Sequence, residues 1–217
     1  TQLWSLFDPM EISKSWAKLE PVLVALVQSR QPVSVRIAAQ YLADFRRAEK
    51  VAGRVITSIP DLPLAGDIVP NLRYVGPVNA FALVDRGASP GDIARITFSN
   101  IEGELTRQIL NGGRGSIVGT ALRDDYAEGW TRVTDGNPCS FCALLATRGP
   151  AYKSEGTADF PAHRKCGCTA EVVYDRSAPL PPIPAQWEQI YKQSYRNVKG
   201  YQPAVHREFR RLYDAQR

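Results

Sequence analysis

Two cysteine pairs constrain this chain more than any other feature. Cys139 and Cys142 stand in "CSFC", Cys166 and Cys168 in "HRKCGC", and no other cysteine occurs in 217 residues. Twenty-three residues separate the pairs, and His163, one of two histidines, lies three positions before Cys166. C-x2-C places two thiolates on one tight turn, where both can reach a single tetrahedral ion. C-x-C on extended backbone turns both sulfurs to one side, because strand side chains alternate. Gly167 lets the backbone come close between them, and Pro161 shapes the approach. Two ligand pairs on separate chain elements are what a structural Zn2+ site uses. Cys139, Cys142, His163, Cys166 and Cys168 thus offer five ligands to an ion that takes four. One of the five is expected to sit outside the coordination sphere or point away.

Two other chemistries compete for the same residues. A pair of disulfides fits the even count, but small secreted scaffolds carry cysteine far more densely than this chain. A nucleophilic cysteine served by His163 is the second alternative. Against it, a zinc-bound thiolate is not a free nucleophile, and a closed tetrahedral site lacks the open position that catalysis needs. No H-E-x-x-H helix is present, which argues against a zinc protease of that type. His206, the other histidine, falls on an amphipathic stretch near the end and reads as a surface or interface side chain.

With 44% apolar and 23% charged residues, the composition is that of a globular chain, not a disordered one. The longest apolar run, "VLVALV" at 22–27, is far too short to span a bilayer, so no membrane role is expected. No basic-then-apolar signal opens the chain, and from its start at Thr1 a processed, trimmed or incompletely ordered end is expected. Charge is unevenly placed. Residues 176–217 hold eight Lys/Arg against three acids, an excess equal to the whole chain's +5. A neutral body with a basic tail predicts an acidic protein surface or nucleic acid as partner, or simply a solvated helix face.

The pattern along the chain predicts an α+β protein with a mainly helical body over 1–128. "FDPMEI" reads as a helix start, with Asp8 as cap and Glu11 at capping-box spacing. "SRQP" is expected to interrupt that helix, and a second to run from Pro32 to Val51, stopping at Gly53. Residues 54–74, with three prolines and a glycine, read as a loop. "VNAFALVDRG" restores a helical pattern, and "SPGD" starts a longer helix with Ser89 as cap, expected to stop at "NGG". Another helix is expected over 113–129. Over 129–175, "WTRV" and "AEVVYD" have the alternating, β-branched character of a small antiparallel sheet, braced by the zinc-type knuckle. Residues 176–185, four of them proline, predict an extended linker. A basic helical tail, 186–217, completes the order. Its Trp187, Ile190, Tyr191, Val205, Phe209 and Leu212 would be left wet on a free arm, so they are expected to anchor in a partner's groove. Arg207, Arg210 and Arg211 would complement that partner's charge at the rim.

The cysteine region resembles the C-terminal part of phage Mu F-like minor head proteins, above all the versions in tailed phages of actinobacteria. The resemblance rests on W-x-R-V at Trp130–Val133, C-x2-C at Cys139 and Cys142, R-G-x-x-Y at Arg148–Tyr152, and H-x-x-C-x-C at His163–Cys168. It covers residues 129–175. It implies a structural virion component, in several copies at the portal vertex or inside the head. There it would assist head assembly and DNA packaging or ejection. The implied partners are portal protein and major capsid protein, with nonspecific contact to packaged DNA, and host cytoplasm is the place of assembly. Some such relatives are labelled capsid maturation proteases, which keeps a protease as the alternative function. Sequence-specific DNA binding is weakly supported, because no recognition helix stands out.

Overall fold

The computed structural model describes residues 3–149, 160–175, 177, 183, 185–200 and 202–216. Within them the chain is mainly helical, with one two-stranded antiparallel sheet, as the sequence predicts. Two compact units emerge, each assembled from separated stretches rather than from consecutive segments. The first takes Thr1–Gln40, Ile59–Ser116 and Ala162–Cys166; the second takes Tyr41–Ser58, Ile117–Pro161 and Gly167–Arg217.

A short 3-10 turn, Leu3–Leu6, precedes α1, Ile12–Ala48. Asp8 accepts from Met10 N–H at 2.8 Å, but this closes a turn ahead of the helix and does not cap it, because α1 begins only at Ile12. The predicted break at "SRQP" does not occur, and α1 runs through Pro21 and Pro32. Each proline removes one N–H from the ladder. Trp16, Leu19, Leu23 and Val27 nevertheless keep one buried face, and packing of such a face outweighs local propensity. The 54–74 loop also needs correction, because Ala65–Arg73 forms α2. Ile68, Leu72 and Val75 recur at i, i+4, i+7 and are buried, a helical stripe hidden among prolines and a glycine. A π-type turn, Tyr74–Val78, leads into α3, Asn79–Asp85. Gly76 in that turn lies under Trp16, where an added Cβ would fall 2.4 Å from the indole ring.

Ser89 caps α4, Pro90–Arg123, accepting from Asp92 N–H at 3.2 Å. "NGG" does not stop this helix. The glycines instead permit close approach: a Cβ on Gly112 would lie 2.5 Å from Gln31 Cγ, and one on Gly113 2.7 Å from Ser34 Oγ. Gly113 N–H donates to Ser34 Oγ at 3.1 Å, and Gln31 Nε2 to the Gln108 carbonyl at 3.1 Å. The core of the first unit gathers Leu19, Leu23, Ile68, Leu72, Ile93 and Ile101.

In the second unit, β1 (Gly129–Val133) pairs antiparallel with β2 (Thr169–Val173), from Gly129 opposite Val173 to Val133 opposite Thr169. Arg46 and Asp124 make a buried ion pair nearby in this unit, and the Arg46 guanidinium lies 5.0 Å from the Tyr126 ring centre and 5.4 Å from that of Tyr174. Between the strands lies α5, Ser140–Ala146, and after them α6, Ala185–Asn197, and α7, Gln202–Asp214. The tail is not a free arm. Trp187, Ile190 and Phe209 are buried with Tyr213 against Ala143, Leu144 and Ala146 of α5. The partner groove expected for them is therefore supplied by this chain itself, because α5 presents a matching apolar face. The 176–185 linker and Tyr152 fall largely outside the described residues.

Candidate metal centre

Strand register explains how distant cysteines meet. Val133 lies opposite Thr169, so the chain leaving β1 toward Cys139 and the chain entering β2 through Cys168 share one end of the ribbon. Asp135 ties them: its Oδ2 accepts from Gly167 N–H at 2.9 Å. A Cβ on Gly167 would lie 2.5 Å from that oxygen and 2.9 Å from Asp135 Cβ, so a larger residue between the two cysteines would push Asp135 aside.

Cys139 is the residue before α5, and Cys142 sits in the first turn. Cys142 N–H donates to Cys139 Sγ at 3.5 Å, which folds the C-x2-C loop around its own sulfur. On the other arm, Cys166 N–H donates to the His163 carbonyl at 3.2 Å, closing a tight turn. Lys165 takes a left-handed φ of 63° to make that turn, a conformation that costs a non-glycine residue about 1 kcal/mol. Its N–H is held by the Gly103 carbonyl at 3.2 Å, and Arg114 donates to the Cys166 carbonyl.

Two overlapping ligand sets result: Cys139, Cys142 and His163, and Cys142, Cys166 and Cys168. Within each set the ligand atoms lie within 4.8 Å of one another. Sulfurs bound tetrahedrally at about 2.3 Å from an ion stand about 3.8 Å apart, so the arrangement fits a metal after a small contraction. Cys142, Cys166 and Cys168 are buried, Cys139 is partly so, and His163 is exposed. His163 Nδ1 lies 2.6 Å from the Arg164 carbonyl, so Nδ1–H donates there and fixes the ring's tautomer. The cluster can hold a metal ion.

Sequence reasoning missed Arg132. Its Nη1 lies 3.6 Å from Cys142 Sγ, its Nη2 donates to the Pro161 carbonyl at 3.1 Å, and its guanidinium lies 3.7 Å from the Phe160 ring centre. The signal was present: in "WTRV", Arg132 shares strand parity with Trp130, which marks a charged side chain on a buried face. Of the expected partner contacts, Arg207, Arg210 and Arg211 are exposed and Tyr191 is partly buried. Arg211 pairs with Glu208 at 2.8 Å and Arg210 with Asp214 at 3.5 Å. The Arg211 and Asn197 hydrogen bonds hold the Glu208 carboxyl down to about 2. His206 is exposed, as expected, with Nε2 3.0 Å from Arg148 Nη2; burial and that cation lower its proton affinity.

The structure thus defines a mainly helical α+β chain with a Cys/His cluster at the end of a β-ribbon that could hold a metal ion. Residues 1–194 match the VG15 protein family, and the chain belongs to it. Gene 15 protein of Mycobacterium phage D29 is 26% identical over 144 residues, which is 64% of this chain and 49% of that protein. The chain thus spans about half the length of the curated relative it matches. No solved structure matches significantly. The family match and this relative together support a phage protein of the mycobacteriophage type. Among the described residues no helix is long and apolar enough to cross a membrane.

Proposed function

We propose that this chain is a structural minor head protein of a tailed double-stranded DNA phage, docking at the portal vertex or the capsid lining. The observation that carries the reading is the Cys/His cluster at the ribbon's end, which sits in the segment that resembles Mu F-like head proteins. The VG15 family match and the likeness to a Mycobacterium phage protein support the virion setting.

Four of Cys139, Cys142, His163, Cys166 and Cys168 would hold Zn2+, which supplies a cross-link and no reaction step. The chain's own residues do the rest. Asp135 fixes Gly167, the α5 face seats the tail helices, and the cluster keeps both arms of the ribbon in register. The exposed side of α7 carries arginines. Arg207, Arg210 and Arg211, with the exposed edge of Tyr191, form the surface offered to portal or capsid protein. Several copies per head are expected.

Quantitative mass spectrometry of purified mature heads tests this reading. A docking protein persists beside the portal at a fixed copy number, whereas a protease consumed in assembly is absent or strongly depleted. Contact with packaged DNA instead of protein would make Arg207, Arg210 and Arg211 essential and binding steeply salt-dependent.

A further inference from the structure

Arg132 is 1% exposed, on a strand buried on both faces, yet no carboxylate pairs with it among the described residues. Its neighbours are the Phe160 ring, the Pro161 carbonyl and Cys142 Sγ, and its Nε has no hydrogen-bond partner. A guanidinium stays charged at any pH a protein tolerates. Burying one without a counter-charge is strongly unfavourable, and a ring face and one carbonyl offset only part of that cost.

Among the described residues, the group that can bring negative charge against Arg132 is Cys142 Sγ, a candidate metal ligand. Any four of the five candidate ligands include at least three cysteines. A divalent ion held by three thiolates and a neutral imidazole carries a net charge of −1; held by four thiolates, it carries −2. Cys142 belongs to both ligand sets, and it is the sulfur that Arg132 touches.

We propose that Arg132 is the counter-ion of the metal centre, a positioning residue that donates to the Cys142 thiolate and neutralises the thiolate-rich site from inside the core. The proposal rests on the metal reading above. It explains why a cation stands where strand parity calls for an apolar residue. It also gives the ribbon and the metal a mutual dependence: the centre requires the buried charge, and the buried charge requires the centre.

Metal affinity, measured by competition with a chromophoric chelator on the full chain, tests it with two variants. Arg132→Met should weaken Zn2+ binding about 10- to 100-fold, the range for loss of a residue that supports a ligand. Arg132→Lys, which keeps the charge, should recover most of that loss. Equal affinity in wild type and Arg132→Met overturns the proposal, and so does an Arg132→Lys variant as weak as Arg132→Met. Should Arg132→Met fail to fold, wild-type protein loaded with cadmium-113 gives an independent readout by NMR. A guanidinium proton of Arg132 should show scalar coupling to cadmium through the Cys142 sulfur, and its absence in loaded protein overturns the proposal. A wild-type chain that takes up no metal at all sinks the underlying metal reading instead, which the stoichiometry reports separately.

Discussion

Phe209→Ala separates a tail packed on its own chain from one waiting for a partner. Phe209 is 0% exposed, its ring centre is 5.8 Å from that of Tyr213, and it belongs to the cluster formed with Ala143 and Leu144 of α5. Truncating a buried phenylalanine costs about 3–5 kcal/mol, from lost transfer energy and the cavity left behind. At a urea m-value of about 1–3 kcal/mol/M, that moves the midpoint by about 1–3 M or more. In a chain of this size each kcal/mol is worth about 2–4 °C, so the melting temperature should fall by about 6–20 °C. Circular dichroism on purified wild-type and variant chains reads both. Arg210→Ala is the control: its side chain is 76% exposed and only loosely paired with Asp214, so its effect should stay within about 0.5 kcal/mol. A Phe209→Ala loss below about 1 kcal/mol, no different from the control, would falsify the packed tail and reinstate the free arm.

Two further substitutions check other contacts. Gly112→Ala should destabilise by about 1–3 kcal/mol despite alanine's better helix propensity, because its Cβ would meet Gln31 Cγ at 2.5 Å and the Gln31 carbonyl at 3.0 Å. Gly66→Ala in α2, with nothing within 4 Å, should instead stabilise by up to about 1 kcal/mol, and urea melts of the pair should show opposite signs. Glu171 accepts from Tyr41 Oη at 3.0 Å, and burial, with Glu49 adding a smaller push, raises its carboxyl above the ordinary 4.5. A raised acid contributes most below the unfolded value and loses that contribution as pH rises through the folded one. Glu171→Gln should therefore be more stable than wild type at pH 7, with the advantage vanishing below about pH 4.5 in matched melts; a constant advantage would point to packing alone.

Local chemistry was legible in the sequence; long-range compensation was not. The ribbon could be read because "WTRV" and "AEVVYD" carry strand parity on their own residues, and the cluster because ligand spacing is a local property. Pro32 and the "NGG" at 111–113 misled for one reason. Each weakens a helix locally, but the Gln31 and Ser34 contacts that make those glycines useful come from far along the chain. The stripe Ile68, Leu72, Val75 was hidden by Pro70 and Gly66, which dominate a composition-based reading of that stretch. The tail gave a different lesson. Its amphipathic spacing correctly marked Trp187, Ile190 and Phe209 as groups needing cover, yet an apolar face does not say whose surface covers it. Strand parity in "WTRV" does flag Arg132 as a charge on a buried face, but it does not say what balances that charge.

Metal content tests the central claim most directly. Protein purified without chelators, analysed for elements and free thiols together, should hold about one zinc per chain with all four cysteines reduced. Removing the ion should loosen the β1–β2 ribbon and α5 before the long helices, as hydrogen exchange resolves them. Metal-free protein with its cysteines joined in pairs would contradict the account.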